Sequence, residues 1–357
     1  MGSAEFPRAE EPASAVAAVA PGDAAGEIRR SLASGASRGR VPDFFIVGHQ
    51  KCGTTALHLM LQRHHEIFMP ELKEPKFLAP DLRSPYWRPA QGPRRGDQRP
   101  DTFEQYLELF APAREGQRIG EASPQYLRSL AAPELIAAIA PQARIIAILR
   151  EPAAFLRSFH QQMLSSHVET EPDLARALEL EGARREGREI PPRCHHPEAL
   201  RYSDHVRYVE QLRRFEAVLP RERMLVLIYD DFRRDNAATL RRVLRFLDVQ
   251  ETETVAAVET RPLQGVRVAP LHRMAHSLGV ARRNPAAAGP LWRLAGALAP
   301  ARVMQSERLR SSWRRVVYGG APAPPDDELM LELRRRFRPE VAALGEHLGR
   351  DLLAEWG

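Results

Sequence analysis

Lysine is almost missing from this 357-residue chain. Of its 52 lysines and arginines, only Lys51, Lys73 and Lys76 are lysine. Every other basic position carries arginine, as codon pressure from a GC-rich genome produces. Arginine is a rigid planar fork and lysine a compact point charge, so the two do not interchange where a charge must sit beside one oxygen. The three lysines fall within 26 residues of one another, and that clustering points to a site.

Cysteine is scarce too. With only Cys52 and Cys194, a disulfide framework is excluded, and neither has a second ligand at zinc spacing. The expected compartment is a reducing cytoplasm. No apolar run reaches the roughly 18 residues that a membrane-spanning helix needs. The first residues, MGSAEFPRAEEPASAVAAVAPGDAAG, lack the basic start and leucine-rich core of a secretory signal, and Phe6 stands where myristoylation requires Ser or Thr. No compact basic-aromatic cluster argues for nucleic acid. The net charge of +6 is spread widely, which fits a solvated arginine-rich surface and is compatible with small anionic ligands.

Residues 1–40 are rich in Ala, Pro, Gly and Ser without periodicity and are expected to form a disordered tail before one domain over 41–357. DFFIVG (43–48) reads as a buried parallel strand ending in glycine, and TTALHLMLQRHHEI as the helix after it. Residues 79–102, crowded with Pro, Arg and Gly, read as a long surface loop. Further strands are expected at QRIGEAS, ARIIAILRE (143–151) and RMLVLIYDDF (223–232). Helices are expected at TFEQYLELFA, PELIAAIA, after Pro152, near 172–187 and 203–219, and at NAATLRRVLRFLDV. A terminal helix is expected at DDELMLELRRRFRPEVAALGEHLG, with a kink at Pro339. Residues 262–325 carry no clear pattern. The alternation predicts an α/β, P-loop-like three-layer fold with a central, mostly parallel sheet flanked by helices.

The stretch GHQKCGTT (48–55) carries the first chemistry. Gly48 and Gly53 have the spacing of a Walker loop, G-x-x-x-x-G-K-[ST], but Thr54 and Thr55 stand where Lys-Ser belongs, and Lys51 lies inside the loop. Backbone N–H groups of Lys51, Cys52 and Gly53, turning into a helix N-terminus, form an anion nest to which the threonine hydroxyls add donors. Arg150 and Ser158, in REPAAFLRS, form a second candidate phosphate clamp. Arg150 ends a buried strand, where open α/β sheets bind ligands, and Ser158 lies two turns along the next helix. A P-loop kinase remains an alternative, with Asp230 and Asp231 of LIYDD as metal ligands. So does a non-catalytic nucleotide-binding module, which needs Lys51 and Arg150 but is indifferent to the loop carboxylate Glu74.

FIVGHQKCGTTAL followed by LREPAAFLRS resembles the 5′- and 3′-phosphate signatures of sulfotransferases that use 3′-phosphoadenosine 5′-phosphosulfate (PAPS). KEPKFL, GEASPQYL, MLVLIYDDF and FRPEVAALGEHLGRDL agree with the bacterial and heparan-type branch, over about residues 42–353. The resemblance implies that Lys51 contacts the 5′-phosphate and bridging oxygen, and that the loop with Thr54 and Thr55 holds the 5′-phosphate. It implies that Arg150 and Ser158 hold the 3′-phosphate, that Glu74 is the catalytic base, and that no metal is needed. Arg267, in LQGVRVAPLH, falls on the arginine of a later family segment that reaches the 3′-phosphate. Ala56 replaces the tryptophan that stacks on adenine in cytosolic phenol and steroid enzymes.

The chemistry of Glu74 is consistent with that role. An alcohol attacking sulfur loses a proton that a carboxylate can take, while an ammonium stabilises charge on the bridging oxygen. Lys73 and Lys76 flank Glu74 and suit the donor or an anionic acceptor; otherwise they simply pair with it. His49, His58, His64, His65 and His160 are lesser candidates for the base, and Glu121 and Ser123 read as strand-end structure. The expected acceptor is a hydroxyl of a carbohydrate, glycolipid or secondary metabolite.

Overall fold

The two strongest apolar runs become the centre of a parallel sheet. Strand β1 (Phe44–Gly48) is buried along its whole length, and β4 (Arg144–Leu149) from its second residue onward. Strands covered on both faces are apolar at successive positions and do not alternate. The computed structural model describes residues 39–82, 99–191, 194, 196–251 and 326–357, together with 26, 28 and the backbone at 265–266 and 318–320. Within these, β2 (Ile67–Phe68), β3 (Arg118–Ala122) and β5 (Met224–Ile228) complete a five-stranded sheet of order β2-β3-β1-β4-β5. All four pairings are parallel. The carboxyl ends of β3, β1 and β4 therefore lie side by side, spaced by roughly 4.8 Å per strand.

Helices connect and cover these strands. They are α1 (Thr54–Gln62), α2 (Phe103–Glu108), α3 (Ala132–Ile139), α4 (Pro152–Ser165), α5 (Leu174–Glu179) and α6 (Glu181–Arg185). After them come α7 (Tyr202–His205), α8 (Tyr208–Glu216), α9 (Tyr229–Arg234), α10 (Asn236–Leu247), α11 (Asp327–Leu348) and α12 (Leu352–Trp356). Helix α11 packs on α4 and α8 and is followed by α12, which packs back on it. Among the described residues no helix is long and apolar enough to cross a membrane.

The structure departs from the sequence expectation in three places. Strand β5 stops at Ile228, and Tyr-Asp-Asp-Phe coils into α9, which buries Phe232 in the core and leaves Asp230 and Asp231 to meet the C-terminal segment. Helix α1 ends at Gln62, because the His64 ring meets the Gln250 carbonyl (2.9 Å) and the chain turns into β2. The expected helices near 172–187 and 203–219 are each divided in two, at Leu180 and at Val206–Arg207. The expected terminal helix is present as α11, one element across Pro339; Pro339 and Arg335, whose carbonyl loses its partner, both lie on the exposed side. Arg267 and most of 262–325 lie outside the described residues, apart from a short antiparallel pairing of Gly265–Val266 with Tyr318–Gly320.

One glycine sets how closely β1 and β3 approach the layer beneath them. A Cβ at Gly120 would lie 2.2 Å from the Phe44 ring and 2.4 Å from the Met69 sulfur. Both neighbours are buried and cannot withdraw freely. Gly120→Ala is expected to destabilise the fold by roughly 1–3 kcal/mol, the usual cost of overpacking, read as a lower midpoint in urea unfolding.

Candidate functional site

The chain leaves β1 and reaches α1 through a loop whose last residue, Gly53, is left-handed at φ 83°. A Cβ there would also meet the Phe232 ring at 3.0 Å and the Tyr229 ring at 3.3 Å, so both the backbone and the space require glycine. Gly53 caps α1 without any side-chain hydrogen bond, and the first turn carries no acid. The opening N–H groups of α1, at Thr54 and Thr55, are thus left with the positive end of the helix dipole. Thr54 is buried and Thr55 exposed.

Lys51 is also left-handed, at φ 62°. Its carbonyl accepts a 3.3 Å hydrogen bond from Arg150, the residue that follows β4, so the loop and the end of the neighbouring strand meet. Burial, and next the nearby Arg150 charge, lower the Lys51 pKa. Among the described residues neither cation has a carboxylate within ion-pair distance. The Arg150 guanidinium lies 4.8 Å from the Tyr229 ring centre, and its carbonyl accepts from Tyr208 Oη at 2.9 Å. Cys52 is fully buried, and burial pushes its thiol up to about 12, so it contributes backbone and not a thiolate. Ser158 is buried on α4, about 9 Å of helix rise beyond the strand end. The start of α4 is capped by Glu151, whose carboxylate accepts from Ala153 and Ala154 at 3.0 and 2.7 Å. Anion binding there must rest on side chains.

Glu74 lies at the end of β3, one strand along. Three alternate N–H groups tie its segment to that strand end: Glu74 to the Ala122 carbonyl, Lys76 to Ser123 Oγ, and Leu78 to Tyr126 Oη, each at 3.1 Å. These bonds offset two left-handed non-glycine residues, Glu74 (φ 60°) and Lys76 (φ 57°), of the kind that clusters at functional sites. The Glu74 carboxylate pairs with Lys73 at 2.9 Å and Lys76 at 3.2 Å. Burial works to raise its pKa, but the two lysines outweigh burial and bring it down to about 2. Arg99, which sequence reasoning missed, also lies within electrostatic reach of Glu74 and Lys76. The three lysines thus divide between two neighbouring strand ends.

Behind this segment is Glu121, fully buried, accepting from Tyr126 at 2.7 Å and Tyr106 at 3.1 Å. Tyr126 therefore links the Glu121 carboxylate to Leu78 N–H and so to the Glu74 segment. His49 is buried beside Phe155 and Tyr208 with Nε2 3.2 Å from Gln211 Oε1, and burial lowers its pKa to about 4. His160 meets the Glu171 carbonyl at 2.9 Å, and His65 stacks on His64. His58 on α1 is buried and lies in the field of Lys73 and Glu74, its pKa lowered to about 4 by burial first. Asp230 accepts from the Trp356 indole at 3.2 Å and Asp231 pairs with Arg350, so both face the C-terminal segment.

An uncapped helix start, flanked by a lysine and an arginine that have no carboxylate partner among the described residues, is an arrangement that favours a phosphate-like anion in an α/β protein. Comparison narrows the class: the model of the Sulfotransferase family matches residues 42–253, more than half of the chain. The chain belongs to the sulfotransferase family, and its chemistry is transfer of a sulfuryl group. A crystal structure of a sulfotransferase from Alicyclobacillus acidocaldarius is 25% identical, covering 77% of this chain and 100% of that one, with a TM-score of 0.52. The sulfotransferase domain of the Synechococcus PCC 7002 olefin synthase is 17% identical over 84% and 95%, with a TM-score of 0.41. Mouse sulfotransferase SULT7A1 complexed with PAP is 16% identical over 91% and 94%, with a TM-score of 0.40. No curated protein sequence matches the chain.

Two predictions follow from the supports of the Glu74 segment. Tyr126→Phe strips Leu78 N–H and Glu121 of a buried partner each, at a cost of about 1–3 kcal/mol in denaturant unfolding. Burial raises the Glu121 pKa to about 7 from an ordinary 4.5. Between those two values the folded chain holds a proton that the unfolded chain has released, so this group's stabilisation declines as pH rises from about 4.5 to 7. Glu121→Gln is expected to remove that slope, seen as the difference between the unfolding free energies of the two proteins from pH 5 to 8. A constant difference across that range contradicts the assignment.

Proposed function

We propose that the chain transfers the sulfuryl group of PAPS to an acceptor hydroxyl. The observation that carries this reading is the meeting of Lys51 and Arg150, two cations without a carboxylate partner among the described residues, at the uncapped start of α1. The 5′ end of PAPS carries a phosphate and a sulfate, and its second phosphate is on the ribose. A loop N–H nest with Lys51 suits the first pair, and Arg150 with Ser158 suits the other phosphate. Cys52, Gly53, Thr54 and Thr55 supply the nest, and Arg267 belongs to the same proposal as a later contact to the 3′-phosphate.

In this reading the acceptor oxygen attacks sulfur while the bond from sulfur to the bridging phosphate oxygen breaks. Glu74 takes the hydroxyl proton, and Lys51 stabilises the charge that gathers on the departing oxygen. Lys73 and Lys76 keep Glu74 ionised and hold positive charge where the sulfuryl group passes. The acceptor is a small molecule or glycan bearing a hydroxyl.

Calorimetric titration with 3′-phosphoadenosine 5′-phosphate against ATP with Mg²⁺ tests the donor. Binding of the first without metal is expected, and tighter Mg²⁺-dependent binding of ATP sinks the proposal. With an acceptor in hand, Glu74→Gln is expected to keep donor affinity while turnover falls roughly 10²–10⁴-fold, the range of general-base catalysis. An unchanged rate removes Glu74 from that role.

The pH profile is a separate test. Glu74 stays ionised down to about pH 2, so it sets no acid limb between pH 4 and 7. Lys76, lowered to about 8 by burial against the pull of Glu74, loses its charge as pH rises and is expected to set the basic limb. Lys76→Arg is expected to move that limb upward.

A further inference from the structure

The opposite edge of the sheet, at the amino ends of β3, β1 and β4, carries a second concentration of positive charge that the donor site does not use. Val41, Phe44, Ile139 and Leu247 help wall a cavity of about 400 Å³, and Arg118, Arg144 and Arg223 enter its lining. Arg118 opens β3, Arg144 opens β4, and Arg223 directly precedes β5. Parallel register brings them to one edge, with Phe44 opposite Arg144 and Ile145 opposite Met224. Along the six residues of β4 this edge is about 20 Å from the loop side.

These charges are poorly answered by the protein. Arg223 donates to the Gln142 carbonyl and side chain, both neutral. Arg118 pairs at 3.6 Å with Asp248, which is 76% exposed and lies beside the lining, and the acid within the lining, Asp43, accepts from Ile119 N–H at 2.7 Å. Three arginines less two aspartates leave a formal +1. Arg144 lies 5.9 Å from the Phe246 ring centre, and its terminal nitrogen Nη1 is buried with no hydrogen-bond partner among the described residues. Crowding like charges is costly, and an oxyanion against the part of the Arg144 guanidinium that lines the cavity relieves it.

We infer that this cavity is a second anion-binding site, remote from the loop, for a small organic molecule whose oxyanion head (phosphate, sulfate or carboxylate) sits on Arg144 between Arg118 and Arg223 and whose apolar body lies against Val41 and Pro141, the accessible apolar residues of the lining. The cavity is within the size range of small-molecule sites, and its mixed lining matches such a ligand better than a bare ion.

The test is calorimetric titration of the full-length chain with phenyl phosphate, in a Lys51→Ala/Arg150→Ala background that disables the loop. One-to-one binding is expected, weakened roughly tenfold or more by adding Arg144→Gln, the scale of one lost charge-assisted contact. Arg223→Ala at the rim is expected to weaken it as well, so the conclusion does not rest on one variant's folding, which urea unfolding checks for both. Benzoate and inorganic phosphate in parallel report whether the head group is a carboxylate and how much the apolar body adds. Absent binding in the loop-disabled chain, or binding indifferent to both Arg144→Gln and Arg223→Ala, overturns the inference. None of these outcomes depends on whether the chain uses PAPS.

Discussion

The left-handed turn at Gly53 brings the chain out of β1 and into α1 with no side chain over the helix start, and the rest of the site is arranged around that opening. Phe232 and Tyr229 close on the glycine from behind, which fixes where the end of β5 must lie. Tyr229 in turn supports the face of Arg150, whose guanidinium reaches the Lys51 carbonyl. Two cations are thereby held near each other at the positive end of a helix. Their mutual repulsion, like the burial of Lys51, is a cost in the free protein that an anion removes. A protein that only needed to fold would have little reason to keep such an arrangement.

The neighbouring strand end solves a different problem. Glu74 must remain charged although burial opposes it, and Lys73 and Lys76 achieve this from within its own segment. The segment is strained at two residues and tied at three N–H groups, so its position is set by β3, Ser123 and Tyr126 more than by its own preference. Glu121 lies beneath it with the opposite electrostatic balance, a carboxyl whose pKa burial raises. Two acids a few residues of structure apart are thus held in contrasting states, one stabilised as the anion and one easily protonated. Environment alone separates them, since the side chains are the same.

The sheet and the loop were legible in the sequence because they rest on local signals. A run such as FFIVG needs both faces covered, and a glycine five positions after another, before a helix, implies a tight path for an anion. The scarcity of lysine pointed to the same two strand ends, since arginine cannot take a point-charge role. Long-range partners were not legible. Tyr229 looked like part of a strand, and only the packing of Phe232 against Gly53 shows why the chain coils there. Arg99, Tyr126 and Gln211 became important because tertiary structure brings them to Glu74, Leu78 and His49. Arg144 and Arg223 read as two more surface arginines until the parallel register aligned the strands that carry them.

The opening before α1 and the end of β4 are together proposed to receive a nucleotide with phosphates on both its 5′ and 3′ positions. A crystal structure of the full-length chain with 3′-phosphoadenosine 5′-phosphate measures this directly. The account predicts the 5′-phosphate against the N–H groups of Gly53 to Thr55 with the Lys51 ammonium beside it, and the 3′-phosphate in contact with Arg150. A nucleotide bound elsewhere, or one whose ribose phosphate occupies the loop while Arg150 stays free, contradicts it.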